Sequence, residues 1–184
     1  MGLRDVLAGL LLAGSTHGYQ LMATLESELG SLWETRASRV YLTLSRMEQE
    51  GLITSTRVRQ DYRPDRRLLR LTPQGRSLAQ RWLDGKGSAD DPVVRLAIAR
   101  VAMPQEFARL VESLASERTA RLQRLREMRR KTSAGFQPEA LDAEIGRAQA
   151  DLRWLALVRE RSDEIVARPR AQKRHGIAAS ERAG

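Results

Sequence analysis

Residues 35–72, TRASRVYLTLSRMEQEGLITSTRVRQDYRPDRRLLRLT, decide the fold, because their periodicity changes halfway. Over 36–47, at about 100° per residue, Ala37, Val40, Leu44 and Met47 gather on one side, as in a helix laid against a core. Thr35 is the expected N-cap and Gly51 the expected stop. Beyond Gly51 the helical period is lost. Segments 52–60 and 66–72 are short and rich in Thr, Val, Ile and Leu, while Asp61, Tyr62, Arg63, Pro64 and Asp65 between them carry turn chemistry. That pattern predicts a two-stranded hairpin. Thr72 followed by Pro73 then predicts the N-cap and first residue of a helix over 73–83.

Upstream, Leu3, Val6, Leu7, Leu10 and Leu11 recur at helical spacing, and Gly14 stands where a left-handed C-cap is expected. A second helix is predicted from about 17 to 28, with Leu21, Met22, Leu25 and Leu29 inward and Gly30 ending it. Three helices, a hairpin and another helix is the order of a winged helix-turn-helix. Gly85, Gly87, Ser88 and Asp90-Asp91-Pro92 mark the expected domain boundary. Beyond it, helices are predicted over 92–102, from about 104 to 131, and over about 138–166. In the last, Leu141, Ile145, Ala148, Leu152 and Leu155 alternate steps of four and three, the spacing of a coiled-coil seam. Residues 167–184 are basic, contain Pro169 and Gly176, have no apolar face and read as a disordered tail.

Composition narrows the function. The 184 residues are 41% hydrophobic and 30% charged, the profile of a globular protein. Arg4, Arg95 and Arg100 interrupt every apolar run before the roughly 18 residues of a membrane span. The start of the chain shows no leader pattern, so a cytoplasmic location is expected and no membrane partner. Cysteine is absent, which excludes disulfides, thiolate metal sites and cysteine nucleophiles. With only His17 and His175 available, no metal or other cofactor is expected. No serine sits in a Gly-x-Ser-x-Gly elbow and no His-Asp pairing suggests a triad, so an enzyme is not expected. The net charge of +9 and pI near 11 favour a polyanionic partner.

The candidate site lies on the 36–47 helix. Opposite its core side stand Ser38, Leu42 and Ser45, flanked by Arg39 and Arg46, with Arg36 and Thr43 at one margin and no acid before Glu48. Arginine pairs with guanine edges or phosphate, serine and threonine with either, and an outward leucine meets a thymine methyl. The competing reading is a solvated basic face. The hairpin adds Arg57, Arg59, Arg63, Arg66, Arg67 and Arg70, so 36–70 holds nine arginines against four acids. Such a wing reaches along the backbone or into the minor groove, or else keeps an edge strand soluble.

Elsewhere, His17 reads as a structural histidine rather than a ligand or base. Trp33, Trp82 and Trp154 either line an aromatic effector pocket or pack in a core. Residues 118–131 hold seven Lys or Arg against Glu127, and pairing with Glu139, Asp142, Glu144 and Asp151 on the next helix is favoured over contact with flanking DNA.

These residues resemble a known family. The opening LRDVLAGLLLAG (3–14), His17-Gly18-Tyr19-Gln20-Leu21, Trp33, Val40-Tyr41, Leu44, EQEGL (48–52), and Arg70-Leu71-Thr72 before Gly75 are similar to the PadR-type regulators over roughly 3–83. The resemblance implies a homodimeric transcription factor, often a repressor released from operator DNA by a small molecule or other signal. It also implies that Tyr41 lies near the DNA backbone and that the C-terminal helices make the dimer. The family commonly has Ser-Pro where Arg36-Ala37 stand and proline where Leu42 stands, so operator preference is not carried over. The expected architecture is mainly α. A winged helix-turn-helix of three helices and a two-stranded wing spans 1–85, a helical dimerisation domain 91–166, and the basic tail 167–184. The expected DNA contacts are Arg36, Ser38, Arg39, Tyr41, Leu42, Thr43, Arg46, Arg63, Arg66 and Arg67, on a pseudopalindromic duplex. The expected dimer residues are the five of the 141–155 seam. The rival reading is a protein-interaction module that docks a partner through the winged helix and helical hairpin.

Overall fold

Thr72 and Asp91 start helices with side-chain caps, and two earlier helices stop at Gly30 and just before Gly51. In order, the elements are α1 (Leu3–Leu11), β1 (Thr16–His17), α2 (Gly18–Leu29), α3 (Ala37–Gln49), β2 (Ile53–Val58), β3 (Arg66–Leu71), α4 (Pro73–Leu83) and α5 (Pro92–Ala102). A 3-10 turn (Pro104–Glu106) then leads into α6 (Phe107–Lys131), α7 (Gln137–Glu160) and α8 (Ser162–Ala167). This computed structural model describes residues 2–30, 33, 35–58, 66–86 and 91–168. The wing tip with Arg63, the 87–90 part of the expected boundary, and the tail from 169 onward lie outside the described residues.

The molecule is mainly helical, with a winged helix-turn-helix in its first half. α1 is its hub, buried along most of its length and packed on α3, α4 and α5. Gly9 makes the crossing close, since a Cβ there would sit 2.8 Å from both Trp82 and Ile98. α4 begins as expected: the Thr72 hydroxyl accepts the Gly75 N–H at 3.1 Å and donates to the Gly51 carbonyl at 2.7 Å. Gly75 itself lies so tightly on the chain entering β2 that a Cβ would fall 2.0 Å from the Leu52 carbonyl oxygen.

The predicted hairpin is present as antiparallel β2–β3, and the sheet gains a third strand, β1, in the order β1-β3-β2. β1 pairs Thr16 with Leu69 and His17 with Leu68. Two residues show no period, which is why it escaped the reading. Residues directly opposed in an antiparallel pair share a face. The register therefore puts Ile53, Ser55, Arg57, Arg67, Leu69 and Leu71 on one face, and Thr54, Thr56, Leu68 and Arg70 on the other. Ile53, Leu69 and Leu71 are buried, so the first face is the core side.

Three local expectations shift. The N-cap of α3 is Arg36, not Thr35, and Ala37 is exposed because core packing begins a turn later at Val40. Met22 is only half-buried. The single helix expected over 138–166 is two, because Arg161 leaves helical geometry (φ −111°, ψ 16°) between α7 and α8.

α6 and α7 form an antiparallel hairpin. Arg118 meets Asp151 at 3.3 Å, Arg121 meets Glu144 at 2.7 Å and Arg129 meets Asp142 at 2.9 Å. Three cations of the basic stretch of α6 are thus matched by acids of α7, while Arg130 and Lys131 pair with Glu127 of α6 itself. α5 joins the two halves with two largely buried arginines. Arg95 reaches Glu117 of α6 at 3.2 Å, and Arg100 forks onto Glu28 of α2. One cluster of buried side chains runs from Leu3 to Val158. No helix among the described residues is long and apolar enough to cross a membrane.

Candidate nucleic-acid interface

Burying Val40, Leu44 and Met47 fixes the roll of α3 on the core. The opposite side is thereby turned to solvent: Arg36, Ser38, Arg39, Tyr41, Leu42, Ser45 and Arg46 are all exposed, and Thr43 is half-buried. Tyr41 and Leu42 are 51% and 53% exposed, so this face carries apolar as well as cationic surface. The Thr43 hydroxyl donates to the Arg39 carbonyl at 2.8 Å, so it braces the helix as well as edging the face. Tyr41 flanks this face and lies against Gly18, where a Cβ would come 2.8 Å from the ring. α3 and the start of α2 are therefore packed through the absence of a side chain.

The α2 start is held from both sides. The Gln20 side chain accepts the His17 N–H at 3.2 Å and the Thr16 hydroxyl at 2.8 Å. His17 Nδ1 hydrogen-bonds the Arg67 carbonyl of β3 at 2.9 Å, and its ring stacks on Tyr19 with centroids 5.9 Å apart. The histidine thus fastens α2 to the wing.

The wing arginines do not act as one group. Arg57 and Arg67 are directly opposed on the core-side face, whereas Arg70 points to the other face and donates from Nε to the Ser15 hydroxyl at 3.1 Å. Two like charges across a ladder repel. The counter-charge comes from Glu48, near the end of α3. Arg67 Nη2 reaches Glu48 Oε2 at 2.6 Å and the Ser55 hydroxyl at 2.7 Å, and that hydroxyl donates to Glu48 Oε1 at 2.5 Å. These bonds, Ser55 first and then Arg67, hold the Glu48 carboxyl below the ordinary carboxylate range. Of the wing residues named from sequence, Arg66 is described only through its backbone in β3. Sequence reasoning missed Glu48 and Ser55. Only the packing of β2 and β3 against the end of α3 brings them to Arg67.

A cavity of about 550 Å³ lies at the start of α3, lined in part by Glu26, Trp33, Arg36, Ser38 and Arg39. Trp82 is sealed in the core and Trp154 is half-buried on α7, so neither joins Trp33 there. Of the 141–155 seam, Leu141, Ala148 and Leu155 are buried within the chain, and Ile145 and Leu152 are half-buried.

Residues 6–81 match the family described as transcriptional regulator PadR-like. A "Probable transcriptional regulator" of Mycobacterium tuberculosis is 28% identical over 142 residues, covering 70% of this chain and 74% of that protein. The "Negative transcriptional regulator PadR" of Bacillus subtilis is 30% identical over 81 residues, so the match spans 44% of each chain. Among solved structures, Bacillus subtilis PadR in complex with operator DNA is similar at 23% identity and a TM-score of 0.43, over 85% of this chain and 97% of that one.

Proposed function

We propose that the chain is a PadR-like transcriptional regulator, a cytoplasmic, homodimeric repressor that reads double-stranded DNA and is released by a small molecule or another signal. It is a transcription regulator and not an enzyme. One observation carries the DNA reading: α3 turns an acid-free face of Arg36, Ser38, Arg39, Leu42, Ser45 and Arg46 to solvent while its other side is locked in the core.

In this proposal residues 1–85 read DNA and 91–166 pair two subunits. Two α3 helices enter successive major grooves of a pseudopalindrome about 34–36 Å apart. Ser38, Arg39, Leu42 and Arg46 read or border bases. Arg36, Tyr41, Thr43, Arg63, Arg66 and Arg67 hold the backbone or groove edge. The 141–155 seam lies in the pairing region. Because Leu141, Ala148 and Leu155 already face the chain's own core, Ile145 and Leu152 are the members left to meet a second subunit.

The test is titration of the full chain with genomic fragments at several salt concentrations. Phosphate contact gives a slope of log Kobs against log salt of about −0.9 per contact. A flat slope would refute the DNA reading in favour of protein docking. For that second reading the supporting feature is Phe136, 80% exposed where the α6–α7 hairpin turns, with Met128, 52% exposed, on the last turns of α6.

A further inference from the structure

Glu48 has no place in the face just described, yet it holds Arg67, a wing cation that lies beside that face. It projects from the last turn of α3, bonds Ser55 of β2 and Arg67 of β3, and so straps the wing to the reading helix. The Arg67 side chain is 62% exposed and borders a small cavity of about 150 Å³ that Tyr41 and Ser45 of the reading face also line. Its guanidinium is therefore at the DNA side of the molecule but already committed to a carboxylate. An exposed ion pair of this kind is weak, and a phosphate in place of the carboxylate gives a comparable bond.

We propose that Glu48 is a specificity-determining residue: it keeps Arg67 from phosphates of random duplex and yields it only where the operator's closer fit offsets the lost strap. This rests on the DNA-binding reading above and assigns a regulator to one of its contacts. On random DNA the protein then makes one phosphate contact fewer than on its operator. The ratio between the two affinities widens by that difference without any base being touched.

The experiment compares salt titrations on two probes, a random-sequence duplex and the tightest-bound genomic fragment. The proteins are the parent chain, Glu48→Gln, Arg67→Met and the double variant. For Glu48→Gln, binding to random duplex strengthens and its salt slope steepens by about 0.9. That is an extra factor of about 3.5 in Kobs between 50 and 200 mM salt, the share of one phosphate. The genomic fragment gains much less, so discrimination falls. Arg67→Met flattens the slope on the genomic fragment by about 0.9 and changes the slope on random duplex much less. Removing a negative charge helps DNA binding by itself, so the double variant decides: without Arg67, Glu48→Gln has no effect on the slope.

Ser55→Ala loosens the same strap with no change of charge. It moves random-duplex binding in the same direction and covers the case in which Glu48→Gln folds poorly. A strap that merely supports the fold predicts weaker binding to both probes and unchanged slopes, and that result overturns the proposal. So does a Glu48→Gln effect on the salt slope that persists beside Arg67→Met. If the parent chain itself shows no salt-dependent binding, the DNA reading fails first and this inference falls with it.

Discussion

The ion pair between Arg100 and Glu28 ties α5 to α2, and breaking it is expected to destabilise the fold. The Glu28 side chain is 4% exposed and that of Arg100 15%, so both charges are largely out of water. Arg100 Nε donates to Glu28 Oε2 at 3.0 Å, Nη2 forks onto both carboxylate oxygens, and Nη1 donates to the Arg168 carbonyl at 3.0 Å. One guanidinium thereby ties α2, α5 and the end of α8. Arg100→Met leaves Glu28 buried without its partner, which costs about 3–5 kcal/mol in comparable sites. The lower end applies here, about 3 kcal/mol, because the Arg100 side of the pair retains some contact with water. For a chain of this length that is a fall in melting temperature of about 6–12 °C.

Replacing both partners, as Arg100→Met with Glu28→Leu, removes the stranded charge together with the pair. The cost then drops to about 1 kcal/mol or less. Urea unfolding followed by far-UV circular dichroism on the four proteins gives the coupling directly, expected at about 2 kcal/mol or more. If the two single costs simply add in the double variant, to within about 0.5 kcal/mol, the pair is not a coupled unit and the reasoning is wrong.

Gly75→Ala improves helix propensity on paper but places a Cβ 2.0 Å from the Leu52 carbonyl oxygen, so it destabilises by about 1–3 kcal/mol, and a variant as stable as the parent in a thermal melt would refute the packing. The Glu164 carboxyl, hydrogen-bonded first by Arg161 and then by Arg168, is held at about 2 instead of 4.5. A depressed carboxylate stabilises the folded state above its unfolded pKa, so this support of α8 is lost as pH falls from about 4.5 towards 2. Carboxyl-carbon NMR should show that titration and its return towards the ordinary value in Arg161→Ala; an unshifted parent signal would contradict the geometry. On DNA, Arg39→Ala should cost about 1–3 kcal/mol and relax base preference, whereas Arg66→Ala should weaken all sequences alike and reduce the salt slope by about one. Identical behaviour of the two on specific and random duplex would undo these role assignments.

Much of the fold was legible because it is written locally. The inward Val40, Leu44 and Met47 follow from a 3.6-residue period, the start of α4 from Thr72 before Pro73, and the hairpin from the loss of period after Gly51. The exposed face of α3 is the complement of its buried one, so it came with the helix. What escaped has no local period. β1 is two residues that become a strand only because β3 lies beside them, and Arg161 breaks a helix whose apolar spacing runs on.

The sequence by itself therefore determined the order of helices and hairpin in the first half, the roll of α3 and the arginine-rich character of its surroundings, since each depends on residues within a turn or two of one another. Tertiary structure alone decided which arginines are already paired. Arg67 is bound to Glu48, Arg70 to Ser15 and Arg100 to Glu28, across separations of 19, 55 and 72 residues. A charge's partner is set by distance in space, and over such separations the order of residues along the chain carries no distance.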